Sequence, residues 1–324
     1  MIEGAENREQ GTGTRARVEP FRLRPFFSER VWGRASLEPW YEETGTRELV
    51  GEAWMTGPQC VVETGPMAGR ALAEVAREFG TELLGEGGDG EFPLLVKVLF
   101  PNDKLSVQVH PDDARAQAMG QPRGKTECWY VLEAEPGASV ALGLKEGVDA
   151  AGVERAIAEG TLEQMLVQVP VSVGEMVFVD AGTVHAIGPG VTLLETQQTS
   201  DTTFRMWDYG RPRELHVEQG IAATKFRTRA GKIQPKVIGE GVTRLIEERY
   251  FTVDRFDVVA GRILVELTGA GCLVGLEGEA LLRSAGGHKV ELRKGTAVVV
   301  PANTEVVVES EGAVSFARCF APRR

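Results

Sequence analysis

Cysteine is scarce in this chain, and the four present, Cys60, Cys128, Cys272 and Cys319, are far apart and form no CxxC pair. That spacing offers no disulfide framework, and the thiols are expected to be reduced packing groups. Positive charge is also short: 36 Lys and Arg face 47 Asp and Glu, leaving a formal net charge of −11. Nucleic-acid binding draws on clustered cations, so nucleic acid is excluded as a partner, and any bound phosphate should be small and met by a few local cations. No apolar run reaches membrane-spanning length, which excludes a membrane-spanning helix. The opening stretch MIEGAENREQGTGTRARVEP lacks the apolar segment of a signal peptide. Residues 1–20 are therefore expected to be a mobile tail, and the location cytoplasmic. No phosphate-cradling GxGxxG between a strand and a helix is present, nor a Walker loop, so a nucleotide cofactor has no support.

What the chain does contain is ample core material, 42% hydrophobic against 26% charged residues. Much of it is arranged in short apolar or alternating runs bounded by Gly, Pro, Asn and Asp: FPLLVKVLF, KLSVQVH, ECWYVLEA, EMVFVD, VTLLETQQ, ILVELTG and TAVVVPAN. Such runs predict an all-β fold of sandwich or barrel type. Two stretches carry helical spacing instead: RALAEVAREFGTELLG, near residues 70–85, and residues 149–166, an expected insertion between strands.

An internal repeat appears when VSVGEMVFVDAGTVHAI is laid over ELRKGTAVVVPANTEVV. Gly174 falls on Gly295, Met176–Val179 on Ala297–Val300, Asp180 on Pro301, Ala181 on Ala302 and Thr183 on Thr304. One structural unit is thus expected twice. His185 of the first copy is replaced by Val306 in the second, so the first keeps polar chemistry and the second reads as scaffold. The boundary is expected near Gln234, giving a catalytic unit over 21–234, with the helical insertion at about 149–166, and a degenerate unit over 235–324.

Strand alternation sends Ser106, Gln108 and His110 of KLSVQVHPDD to one face. The same rule groups Lys125, Glu127 and Trp129 in GKTECWYVL. A third segment places the turn Asp180, Ala181, Gly182 just ahead of Thr183, Val184 and His185. The pair of acids in HPDD is expected to turn the chain and cap the segment after it.

These three segments resemble the two halves of a cupin motif, with Gln108 where many cupins have the first His and Asp180 where many have Pro. Both departures resemble the type I mannose-6-phosphate isomerases, as do RPFFSERVWG, LLVKVLFPNDKLSVQVHPDD, GKTECWYVL, AGTVHAIGPG and ETQQTSDTTFRMWDYGR, in that order. The resemblance implies two cupin-type jelly-roll barrels, the second degenerate, with helical insertions. It carries over Gln108, His110, Glu127 and His185 as ligands of Zn2+, a donor set that also suits other divalent metals. It implies interconversion of mannose 6-phosphate and fructose 6-phosphate through a metal-stabilised cis-enediol. Arg205 matches an arginine the family places at the active site, for electrostatic stabilisation and orientation of the substrate. Lys125 is a candidate for proton transfer or a phosphate contact. Ser106 and Lys97 resemble the family's phosphate-side residues, although Lys97 in an apolar strand could instead snorkel to the surface. His216 and His288 read as exposed or structural, and Trp32, Trp54, Trp129 and Trp207 as core or cavity wall. The competing readings are a sugar-phosphate-binding cupin without catalysis and an iron-dependent cupin oxygenase.

Overall fold

The computed structural model describes residues 18–322, so the tail expected over residues 1–20 falls almost wholly outside the described residues. Alternating side chains sort the strands into four sheets. A seven-stranded antiparallel sheet runs in the order Gly231–Ile233, Met176–Val179, Glu127–Ala134, Val191–Gln198, Leu94–Leu99, Val50–Trp54, Phe26–Arg34. It faces a five-stranded sheet ordered Phe204–Trp207, Val107–Val109, His185–Ile187, Ser139–Leu144, Leu166–Pro170. An eight-stranded sheet and a four-stranded one form the second pair. The expected barrels are thus two sandwiches of facing sheets.

The layers follow from where each strand buries its side chains. Leu99, Trp129, Val131, Val177 and Leu193 of the seven-stranded sheet pack on Val140, Leu142 and Ile187 of the five-stranded sheet. On its other face Leu94, Val96, Cys128, Tyr130 and Leu194 share a core with Cys272, Val274, Val299, Ala317 and Cys319 of the eight-stranded sheet. This central sheet is therefore covered on both sides, and all eight residues of Val191–Gln198 are buried. Four free, buried cysteines match the expectation of packing thiols.

The repeat is visible in three dimensions. Met176–Val179 lies in the larger sheet of the first sandwich and Ala297–Val300 in the larger sheet of the second. His185–Ile187 and Thr304–Ser310 then enter the respective smaller sheets. Gly174 and Gly295 both open the unit at positive φ, 87° and 73°, which only glycine adopts without strain. The chain passes from the first sandwich to the second between Ile233 and Lys236. Two early strands, Phe21–Arg24 and Val61–Val62, nevertheless complete the eight-stranded sheet of the second sandwich.

Helices cover the outer face of the five-stranded sheet. Val153, Ala156 and Ile157 of the helix Ala150–Ala158 and Ala223 of Val217–Ala223 pack on Val107, Val109, Phe204 and Met206. Asp149 caps the first of these by accepting from Gly152 N at 2.8 Å. The helix expected near residues 70–85 is two short ones, Leu72–Phe79 and Thr81–Leu84, because Gly80 interrupts it at φ 45°. No helix among the described residues is long and apolar enough to cross a membrane.

The second sandwich holds a buried charge cluster. Asp254, with no exposed surface, accepts from Arg244 Nε at 2.6 Å and Arg318 Nε at 3.1 Å. Removing the carboxylate would leave two guanidinium groups partly buried without their acceptor. Asp254→Ala should therefore cost about 3–5 kcal/mol, seen as an earlier thermal unfolding transition by circular dichroism.

Candidate metal centre and active site

At one end of the first sandwich the inward faces turn from apolar to polar. On the seven-stranded sheet, Trp54, Lys97, Glu195 and Trp129 are register neighbours on successive strands, and in the next row Gln197 pairs with Glu127. On the facing sheet, Gln108 pairs with His185 on one side and Arg205 on the other. Partners in an antiparallel ladder share a face, so backbone pairing alone brings these side chains to one place.

His110, Glu127 and His185 form a cluster with one ligand atom from each within 4.8 Å of the others. All three are at most 1% exposed. His110 Nδ1 lies 3.1 Å from the carbonyl oxygen of Thr202 and His185 Nδ1 2.9 Å from that of Thr183. Each carbonyl can only accept, so each ring carries its proton on Nδ1 and turns the Nε2 lone pair inward. Glu127 Oε2 is 3.5 Å from His110 Nε2 and Oε1 is 3.4 Å from His185 Nε2. Burial, first of all, holds the His110 ring well below the usual imidazole range and pushes His185 down to about 4, with Lys125 adding to both. The rings are thus neutral at physiological pH, the form in which an imidazole can bind a metal.

Both oxygens of Glu127 are buried, and while Oε2 is met by the Lys125 ammonium, Oε1 has no hydrogen-bond partner. A carboxylate left this way is costly unless a cation completes its surroundings. Lys125 Nζ stands at ion-pair distance, 2.9 Å from Oε2, and lies 3.2 Å from His110 Nε2. Two inward-facing imidazole nitrogens and a buried carboxylate with one oxygen lacking a donor fit a divalent metal. Gln108 Nε2 sits 3.3 Å from His185 Nε2, and a half-turn of the amide presents an oxygen instead.

Further charges surround this cluster. Burial would by itself lower the Lys125 ammonium, but Glu127, Glu195 and Asp201 outweigh it and hold it raised. Lys97 is 2% exposed and does not snorkel: Nζ lies 3.4 Å from Glu195, 3.8 Å from Glu52 and 3.9 Å from Asp201, and 4.7 Å from the Trp54 ring centroid. Glu52 accepts from Arg30 at 3.0 Å and from Trp54 Nε1 at 2.7 Å. Glu195 accepts from Trp129 Nε1 at 3.1 Å. Its carboxyl is raised by burial first and by Glu127 next. Ser106 is buried with its hydroxyl 3.5 Å from Gln108 Oε1. Arg205 donates to the carbonyl oxygen of Glu214 at 2.9 Å, while its Nε is buried without a partner.

Asp180, at the position where many cupins carry Pro, accepts from the Thr183 hydroxyl at 2.9 Å and from Arg229 N at 3.2 Å. Gly182 (φ 95°) donates to the His110 carbonyl and accepts from Lys225 N, each at 2.9 Å. The segment near residue 225 thus straps down the turn that delivers His185. Asp112 caps the helix Asp113–Ala118 through Arg115 N at 3.0 Å, as expected of HPDD. His216, half-buried, accepts from Arg205 N at 3.2 Å, while His288 lies away from the centre, near Gly65.

A family model described as phosphomannose isomerase type I, catalytic domain, matches residues 21–143. A mannose-6-phosphate isomerase of Streptococcus mutans is 35% identical over 297 residues, spanning 88% of this chain and 93% of the relative. The chain belongs to the type I phosphomannose isomerase family. Mannose-6-phosphate isomerase ManA of Bacillus subtilis is 33% identical over 298 residues, 88% of this chain and 93% of the relative. The crystal structure of a mannose 6-phosphate isomerase from Bacillus subtilis superposes with a TM-score of 0.83 at 28% identity, covering 93% of this chain and 99% of that one. Family membership agrees with the fold and with the clustered His110, Glu127 and His185. Sequence reasoning did not single out Glu195 or Glu52. Strand alternation in VTLLETQQ, which sets Glu195 and Gln197 on one face, was the signal for the former.

Proposed function

We propose that this protein is a mannose-6-phosphate isomerase whose metal is zinc, held by Gln108, His110, Glu127 and His185. The observation that carries this reading is the buried carboxylate of Glu127, set between two imidazoles whose Nε2 atoms face it, with Oε1 left without a donor beside an Oε2 paired to Lys125. We further assign the catalytic unit to residues 21–234 and the companion unit to residues 235–324.

The reaction moves one proton from C2 to C1 of the sugar and another from the C2 hydroxyl to the C1 oxygen. A bound divalent ion supplies Lewis-acid stabilisation of negative charge on the oxygens of the enediol. Lys125, kept as an ammonium by its acidic neighbours, suits donation to one of those oxygens better than proton abstraction. Glu195 is the group suited to carry the proton between the carbons, because it is buried beside the centre and its carboxyl is raised toward neutrality. Lys97, enclosed by carboxylates, suits orienting Glu195 rather than meeting phosphate. Ser106 suits orienting the Gln108 amide. Arg205, beside Gln108 in the ladder, carries a permanent positive charge suited to a substrate oxygen or to the phosphate.

The test is a coupled assay of mannose 6-phosphate conversion on chelator-stripped protein. Activity should vanish on stripping and return with zinc. No turnover with any divalent metal, despite sugar-phosphate binding, would replace this reading with that of a non-catalytic binding protein.

A further inference from the structure

The second acid of HPDD holds together segments that are distant in sequence. Asp113 Oδ1 accepts from Gly124 N and from Gln198 Nε2, both at 3.0 Å. Its Oδ2 accepts from the Tyr250 hydroxyl at 2.7 Å. Gln198 in turn accepts from Thr126 N at 2.9 Å through its side-chain oxygen. Lys125 N donates to the Pro111 carbonyl at 3.0 Å. The two segments run so close that a Cβ on Gly124 would lie 2.5 Å from Pro111 O.

Every segment in this clasp bears on the metal centre. Pro111 comes directly after His110, Thr126 precedes Glu127, and Gln198 ends the strand that carries Glu195. Tyr250 belongs to the other half of the molecule, where it packs against the core shared with the second sandwich. The clasp lines a cleft of about 580 Å³ together with Arg123, Arg249 and Ala302. It can therefore be altered without touching the inward-facing ligands.

We propose that Asp113 is a positioning residue that sets His110 against Glu127, and that through the Tyr250 hydroxyl the second sandwich helps to fix the metal geometry. This inference rests on the metal-centre reading above. Groups that orient metal ligands typically account for about 10–100-fold in metal affinity or activity. Asp113→Asn keeps the shape but cannot accept from all three donors, because its amide nitrogen only donates. Tyr250→Phe removes one hydroxyl and nothing else.

The experiment loads wild type, Asp113→Asn, Tyr250→Phe and the double variant with cobalt. It records the visible absorption spectrum, cobalt affinity against a competing chelator, thermal unfolding, and kcat and KM for mannose 6-phosphate. Asp113→Asn should shift the cobalt spectrum, weaken cobalt binding about 10–100-fold and lower kcat more than KM. Tyr250→Phe should change the same readouts in the same direction by a smaller factor, and adding it to Asp113→Asn should change little more, because the two share one bond. A lowered unfolding temperature with spectrum, affinity and kcat unchanged would reduce the clasp to a stabilising contact and overturn the proposal. If Asp113→Asn does not fold, Tyr250→Phe decides on the same readouts. A folded wild type that binds no cobalt would overturn the metal-centre reading itself, an outcome distinct from a wild-type spectrum that the variants fail to move.

Discussion

His185→Ala should give a folded protein that loses zinc on dialysis and turns over mannose 6-phosphate about a thousandfold slower or worse. Lewis-acid stabilisation of transition-state charge is worth several kcal/mol, and each 1.4 kcal/mol is about tenfold in rate. Folding should survive because the apolar floor of the sandwich, built by Val131, Val140, Leu142, Ile187 and Leu193, borders His185 but does not depend on it. The internal repeat supports this directly. Val306, which takes the place of His185 in the second copy, is 1% exposed in an intact core. His185→Val would copy that arrangement and should fold at least as well as His185→Ala while remaining inactive. Metal content by mass spectrometry, thermal unfolding and the coupled assay separate the effects. Full zinc content with wild-type turnover would remove His185 from the ligand set.

The sequence exposed His110, Glu127 and His185 because each sits near the end of a strand, where period-two alternation and an adjoining turn make a polar residue conspicuous. Glu195 was harder to read. Its strand is covered on both faces, so all eight positions are buried and the usual contrast between an apolar and a polar side disappears. Lys97 was obscured for the same reason. In a central strand there is no nearby solvent for an ammonium to reach, and the charge is met by Glu195, its neighbour in the ladder, and by Glu52. What remained illegible is non-local. Nothing in FRLR marks Phe21–Arg24 as a partner of Ala297–Val299, nor does HPDD reveal that Asp113 meets Tyr250, 137 residues away. Such pairings are decided by how the layers stack and leave no periodic trace.

The proton-transfer assignment is tested by Glu195→Gln, a change of nearly constant volume that keeps an oxygen available to Trp129 Nε1 and removes the negative charge together with the ability to take up a proton. Positioned general acid–base groups contribute about 10²–10⁴-fold, and kcat is expected to fall within that range with KM much less affected. Because C–H cleavage should then be the slowest step, mannose 6-phosphate deuterated at C2 should show its full primary isotope effect on kcat. Zinc content should remain at the wild-type level, since Glu195 has its own partners in Trp129 and Lys97 and is not one of the clustered ligands. The variant also leaves Lys97 facing Glu52 and Asp201 without its nearest carboxylate, which by itself would disturb the site modestly. The isotope effect separates the two roles: a Glu195 that merely balances Lys97 would give a rate within about tenfold of wild type, the scale of a pairwise contact near 1.4 kcal/mol, and an isotope effect no larger than before. A loss of two orders of magnitude or more with the isotope effect fully expressed requires a group that takes the proton itself.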